Sequence, residues 1–333
     1  MRERHWSEGV VEWMVWLSGL VPFGVAEEIL QQVGRVGVSD SSLWRRVQEV
    51  GEKFKEQMEE ERIRANVLEG RWGGPVERVE PKGRMGVAMD GCMIHIREEG
   101  WKELKVGCVF EVETGWVVDR ETGERVEVGR AVANSYVAHL GGPEVLGQMV
   151  WAEAKRRGWE GAVETEVVGD GAPWIWNLAA DYFYDSHQVV DWYHATEHLA
   201  EAARLLKGEG TQARTIWFNQ WKKRLFQGDA LQLALALQAA AAKQPEIAEA
   251  LEREAGYFYN NHRRMNYQEM REERWVIGSG MVESGGKQFK ARLAGSGMRW
   301  SRPGAERLIP IRAAIMSGRF TELWRLARNS PPN

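Results

Sequence analysis

Cysteine is nearly absent: Cys92 and Cys108 are the only two in 333 residues. Two thiols build neither a disulfide framework nor a four-cysteine zinc site, and their spacing fits no metal-ligand pattern, so a reducing cytoplasm is the expected setting. Long apolar runs are missing as well. "VVEWMVWLSGLVPFGVA" and "LQLALALQAAAA" are broken by Glu12, Pro22 or glutamine, and both fall short of the ~20 residues a membrane span needs. With Glu3, His5 and Glu8 close behind Met1, the start lacks the form of a signal peptide. No membrane partner is expected.

An overall excess of positive charge is also lacking, since the formal net charge is -4. That weighs against a nucleic-acid partner, because neutralising phosphates takes lysine and arginine. The distribution says otherwise. From Asn260 to Asn333 there are fourteen Lys and Arg against six Asp and Glu, a local excess of eight positive charges. Such asymmetry fits a protein that meets a polyanion with one face, and equally a solvated helical surface near a terminus.

Three regions follow one another. Residues 1–70 read as helical: "PFGVAEEILQQVG" places Val25, Ile29 and Val33 on one face and ends at Gly34. In "VSDSSLWRRVQEVGEKF", Ser39 or Asp40 can cap a helix whose stripe is Leu43, Val47, Val50 and Phe54, leaving Arg45 and Arg46 off that stripe. Two helices around a tight turn, the second opening on small polar residues, make a helix-turn-helix pattern; an ordinary three-helix bundle would look the same. Residues 83–196 change period. "RMGVAMDG" predicts a short strand ending at an acid, "KELKVGCVFEVE" and "ERVEVGRAVANSYVAHL" two more strands, "PEVLGQMVWAEAKRRG" a helix, "TEVVGDG" a strand, "PWIWNLAADYF" a helix and "HQVVDWYH" a last strand. The remainder is helical, with an all-helical stretch over 197–270 and a basic helical end over 271–330.

The order β-β-β-α-β-α-β is that of the ribonuclease H-like fold, an α/β class in which the first and fourth strands lie side by side. Acids on those strands then meet although far apart in sequence. Asp90 and Asp170 hold those positions, 80 residues apart and each followed by glycine. Glu283, on a helix opened by Gly-Ser-Gly, is the candidate third acid. Three clustered carboxylates need a cation to stay ionised. Two magnesium ions held by such oxygens, with Mn2+ able to substitute, suit in-line phosphoryl transfer. Each acid taken singly can also be a turn residue or a helix cap.

"VVDWYHATEHL" (189–199) carries a competing pattern, because His194, Glu197 and His198 spell the H-x-x-E-H of one class of zinc peptidases. No third ligand follows in a comparable context. Read from the aspartate instead, Asp191 ends a strand and His194 begins a helix.

"VAMDG", "VVGDGAPWIWNLA", "VVDWYHATEHL", "IGSGMVESGGKQ" and "GMRWSRPGAERLIPIRAAIMSGR" together resemble the successive blocks of DDE transposases of bacterial insertion sequences, nearest the ISKra-type group, and are similar to Mutator-like and hAT transposases. The resemblance runs from about Pro22 to Phe320. It implies a catalytic and metal-binding triad of Asp90, Asp170 and Glu283, with Asp191 and His194 as a D-x-x-H element before a helical insertion. It implies DNA as partner, both element ends and target, a homodimer or larger assembly on that DNA, and a bacterial cytoplasm with the protein at the nucleoid when bound. Members resemble longer chains with further sequence before the helix-turn-helix, so a truncated copy is expected here. Ser41, Ser42, Arg45 and Arg46 become candidates for reading DNA. Lys287, Lys290, Arg292, Arg299 and Arg302 become candidates for gripping phosphates. Most of the seventeen tryptophans are expected to anchor cores, while Trp217, Trp221 and Trp300, near basic residues, are candidates to stack on an unpaired base. A decayed or domesticated binder that keeps the helix-turn-helix without catalysis is the alternative.

Overall fold

The computed structural model describes residues 6–67, 82–118 and 123–329. Helices α1 (Glu8–Leu20), α2 (Phe23–Gln32) and α3 (Asp40–Asn66) come first. Ser39 caps α3 by accepting from the Ser42 backbone N–H at 3.3 Å, and Leu43, Val47, Val50 and Phe54 are all buried, as their spacing predicts. On α2 the expected face is wrong. Val25 is exposed and Val33 is 80% exposed, whereas Ala26 and Leu30, also one turn apart, pack with Met14, Val38 and Leu43 in a small core of their own. α3 runs on for 27 residues and leaves that small core, placing Val47, Val50 and Phe54 in the main one.

The middle of the chain forms β1 (Lys82–Ile96), β2 (Gly100–Val118), β3 (Arg125–His139), α4 (Pro143–Arg156), β4 (Ala162–Gly169), α5 (Pro173–Tyr182) and β5 (His187–Val190). The five strands make one mixed sheet in the order β3-β2-β1-β4-β5, antiparallel from β1 to β3 and parallel from β1 through β4 to β5. This arrangement is compatible with a ribonuclease H-like fold. Gly107 of β2 leaves room for Val150 of α4 on one face; the next residue, Cys108, and its partner Tyr136 point the other way.

The remainder is helical: α6 (Trp192–Lys207), α7 (Gln212–Phe226), α8 (Ala230–Ala241), α9 (Ala248–Asn261), α10 (Tyr267–Glu272), α11 (Gly280–Leu293), α12 (Arg302–Met316) and α13 (Phe320–Asn329). α11 covers the sheet face opposite α4, with Tyr136 of β3 against Gly285 of α11, and α12 packs along edge strand β3, where Ser317 bonds the Tyr136 backbone. One expectation about the first strand needs correction. β1 does not end at Asp90 but continues to Ile96, because β2 pairs with it along its whole length. Only its parallel partner β4 stops early, the last pair being Ala88 with Val168.

Glu166, on β4, is wholly buried. The Val276 N–H and Arg84 lie near its carboxyl, yet neither oxygen makes a hydrogen bond of ordinary geometry among the described residues. Burial therefore holds its pKa well above the usual carboxylate range. A carboxyl raised in this way favours the fold while protonated, and the fold loses that advantage as pH rises through the folded-state pKa. Glu166→Gln should hence leave the melting temperature little changed near about pH 4 and raise it at about pH 8 to 9. An equal drop at both pH values would show that Glu166 acts through a specific contact instead.

Candidate functional site

Three aspartates stand level across the parallel half of the sheet. The β1–β4 ladder ends at Ala88 and Val168, and Asp90 and Asp170 each lie two positions further on. The β4–β5 ladder ends at Gly169 and Val190, and Asp170 and Asp191 each lie one position further. Asp191 N–H continues that ladder, donating to the Gly169 carbonyl at 2.7 Å.

Asp191 is fully buried and both its oxygens are engaged. Oδ1 accepts the His194 backbone N–H at 2.8 Å, capping α6, which starts at Trp192 and not at His194. Oδ2 accepts the Ser279 N–H at the start of α11. Burial would raise this carboxyl, but hydrogen bonds from His194 and Ser279 outweigh it and leave its pKa low. The His194 ring sits with Nδ1 at 3.4 Å from Oδ1, an ion pair without good hydrogen-bond alignment. Pairing with Asp191 lifts the imidazole to about 9, with Asp170 and Glu197 adding to the effect. At neutral pH His194 is therefore a cation among acids.

Glu283 lies in the first turn of α11 and its Oε1 accepts from Ser279 Oγ at 3.1 Å. Gly285 lets the Tyr136 ring lie against this helix, where a Cβ would come within 2.5 Å of that ring, and Tyr136 OH donates to the Met281 carbonyl at 3.2 Å. Asp90 takes the Gly91 N–H on Oδ1 at 2.7 Å. Burial first, then the charges of Asp170 and Glu283, raise its pKa, while His194 opposes them. Asp170 uses Oδ1 to hold the Ala172 N–H at 2.8 Å ahead of α5, which is the capping role its sequence context allows. Its backbone is held from the helical block, because Tyr257 OH on α9 donates to the Asp170 carbonyl at 2.9 Å. Gly171, at φ +104°, has no room for a side chain against that ring.

Among the described residues, the group that can hold a metal ion is Asp191, His194 and Glu283, with ligand atoms within 4.8 Å of one another. Asp90 and Asp170 belong to no such trio at that distance, although their charges reach His194 and, for Asp90, Glu283. Glu197 and His198 stand outside it too. His198 gives Nδ1 to Glu254 at 2.7 Å and stacks on Tyr257 at 3.6 Å, so the two histidines of H-x-x-E-H do not converge on one ion.

Lys287, Lys290 and Arg299 are exposed, Lys287 lying 3.7 Å from Glu283. Arg302 is shared between Glu99 and the Leu140 carbonyl. Arg292 departs from expectation: it is 1% exposed and donates to the Ser18 carbonyl at 2.7 Å, since the last carbonyls of α1 need donors that the chain itself does not supply. Ser41 and Arg45 are exposed and Arg46 pairs with Glu49, but Ser42 is buried and bonded to Ser39. Trp217 and Trp221 are half-buried against each other, with Arg224 over Trp221. Sequence reasoning missed Tyr257, Tyr136 and Ser279; the Gly-Ser-Gly before α11 is the one local signal that pointed to any of them.

No protein-family model matches this chain, and a search of curated proteins finds no significant match.

Asp191→Ala removes two caps and leaves a buried N–H without a partner, so the fold should lose about 2 to 4 kcal/mol. Asp191→Asn, which keeps one good acceptor, should lose less. Urea unfolding measures both, and a cost below about 0.5 kcal/mol for the alanine variant would show that water replaces the carboxylate.

Proposed function

We propose that this protein is a DDE-type DNA transposase that binds the terminal inverted repeats of an insertion sequence and carries out metal-dependent strand cleavage and strand transfer. In this reading the sheet and its helices are a ribonuclease H-like core, 83–196 and 271–330, interrupted by an insertion over 197–270 and preceded by a helix-turn-helix over 1–70. The observation that carries it is the level placement of Asp90 and Asp170 on adjacent parallel strands, with Glu283 brought toward them by the Asp191–Ser279 bond.

The residues suit magnesium. Asp90 and Asp170 each keep an oxygen outside the bonds described above, Glu283 keeps Oε2 with Lys287 beside it at 3.7 Å, and the raised Asp90 carboxyl is relieved by a cation beside it. Asp191 suits the role less well, having both oxygens engaged, and so does a cationic His194. Two Mg2+ ions, when bound, would supply activation of a water or 3′-hydroxyl and stabilisation of the leaving oxygen. The chain's own residues do the rest. Asp191 orients His194, whose imidazolium holds a phosphate oxygen of the substrate or gives a proton to the departing 3′-oxygen. Lys287, one turn beyond Glu283, neutralises the neighbouring phosphate.

Duplex oligonucleotides taken from the ends that flank the gene test this reading. Wild-type protein should nick them with Mg2+ or Mn2+, and Asp90→Ala, Asp170→Ala and Glu283→Ala should each lose nicking while binding the same DNA within about twofold. Undiminished nicking in excess chelator overturns the mechanism; binding without nicking leaves a DNA-binding protein only. Recognition is assigned to the start of α3. Arg45→Ala should weaken binding by ~1 to 3 kcal/mol and relax specificity at one base if it reads guanine, or weaken all sequences alike if it holds phosphate. Unchanged binding in the Arg45→Ala, Arg46→Ala double variant would make that helix purely structural.

A further inference from the structure

At the far end of α11 from Glu283 the chain closes around a cavity of about 510 Å³. Phe23, Trp44 and Trp300 form its aromatic wall, with Phe23 edge-on to Trp44 at 5.8 Å and Trp44 near-parallel to Trp300 at 6.3 Å between ring centres. Trp300 is rigidly held: its indole N–H donates to the Leu293 carbonyl, and its backbone bonds both His95 and Arg97 at the end of β1. Trp44 is half-buried and closes over Gly304, where a Cβ would fall 2.4 Å from its ring.

Three arginines, Arg97, Arg292 and Arg299, complete the lining, and among the described residues no acid does. Arg292 forms part of the wall, its guanidinium 4.9 Å from the Phe23 ring centre and 5.2 Å from that of Trp300. One N–H serves the Ser18 carbonyl, but Nη2 is buried without a hydrogen-bond partner among the described residues. Arg312 lies close enough to repel it and is bonded to the Gly19 carbonyl at 3.3 Å. Neither guanidinium has a carboxylate partner among the described residues, although unpaired buried charge is costly. Arg97 and Arg299, both exposed, stand at the mouth, linked by a bond from Arg97 Nε to the Arg299 carbonyl.

We propose that this cavity is a nucleotide-binding pocket, in which one unpaired nucleotide of a nucleic-acid strand sets its phosphate on the exposed Arg97 and Arg299, in the field of the buried Arg292 behind them, and its base against Trp44. Unpaired guanidinium calls for an anion, and an aromatic wall beside it suits a base, whose π-face stacks regardless of sequence. The choice of nucleic acid as ligand class rests on the transposase reading; the pocket's chemistry does not. Its position fits a strand shared with the carboxylates. Nine residues of helix separate Glu283 from Arg292, roughly 14 Å at 1.5 Å per residue, or about four steps of a strand at 3.4 Å each. Exposed Lys287 and Lys290 lie between.

The test uses the full chain and a 5′-phosphorylated trinucleotide carrying 2-aminopurine, whose fluorescence is quenched by stacking. Saturable quenching is expected, weakened about tenfold or more, equivalent to ~1.4 kcal/mol, in the Arg97→Gln, Arg299→Gln double variant, whose exposed positions leave the fold intact. Trp44→Leu should abolish the quench, and Asp90→Ala should leave it unchanged. Equal affinity in the double arginine variant, or equal affinity for an abasic trinucleotide, overturns the pocket. Nicking is scored separately: nicking by a protein whose pocket takes no trinucleotide overturns the pocket alone, and trinucleotide binding without any nicking overturns the transposase reading alone.

Discussion

One buried carboxylate holds the site together. Asp191 directly follows β5, caps α6 and accepts the Ser279 N–H that opens α11. A second bond, from Trp192 N–H to the Ile277 carbonyl at 2.9 Å, closes the same neck. The chain leaves the sheet at 191 and comes back to this neck at 277, and the block between also meets the sheet where Arg264 donates to Gln188 of β5 and Arg274 to Glu127 of β3. Loop-closure entropy grows only slowly with length, and a neck fixed by buried hydrogen bonds sets the position of Glu283 whatever the size of the block between. That block is nonetheless not idle, because Tyr257 of α9 reaches back to the Asp170 carbonyl.

The same carboxylate organises the charges. Asp90 and Asp170 lie level on adjacent strands, and burial with mutual repulsion disfavours ionising Asp90. Asp191 answers this by raising His194 to about 9, which places a permanent cation among the acids at neutral pH. Further out, Glu254 is buried but paired with His198 and Arg253. Arg319, buried, is shared among Glu61, Glu153 and Glu322. Among the described residues, interior ionic groups are matched in these places and unmatched around Glu166, whose pKa burial raises, and around Arg292 and Arg312.

Much of the architecture was legible from periodicity. Strand order, the proline-led α4 and α5 and the buried stripe of α3 follow from local patterns that tertiary packing did not override. What failed did so for long-range reasons. "RMGVAMDG" reads as a strand that stops at Asp90, but thirteen residues of β1, Arg84 to Ile96, pair with β2. Val25, Ile29 and Val33 read as a core face, but the neighbouring helices left space only for the side that carries Ala26. Arg292 reads as one more surface cation in a basic segment, and is buried because α1, some 270 residues earlier, ends in unsatisfied carbonyls. Strand order already put Asp90 and Asp170 on neighbouring strands; the level at which β4 and β5 stop pairing, which sets Asp191 beside them, was not visible.

The long α3 also ties the first helices to the sheet. Gly51 lets α3 approach α12 so closely that a Cβ would fall 2.2 Å from the Arg307 carbonyl oxygen, Glu52 pairs with Arg307, and Lys53 donates to the Ala327 carbonyl at 3.0 Å. The N-terminal end of this helix carries Arg45 and the aromatic residue Trp44, while its middle is locked to α12. The start of α3 is therefore tied, through Gly51, Glu52 and Lys53 further along the same helix, to α12 and α13. In the proposed reading, contacts made by the start of α3 and chemistry at Asp90 and Asp170 would act on one bound strand, coupled through the packing of α3 on α12.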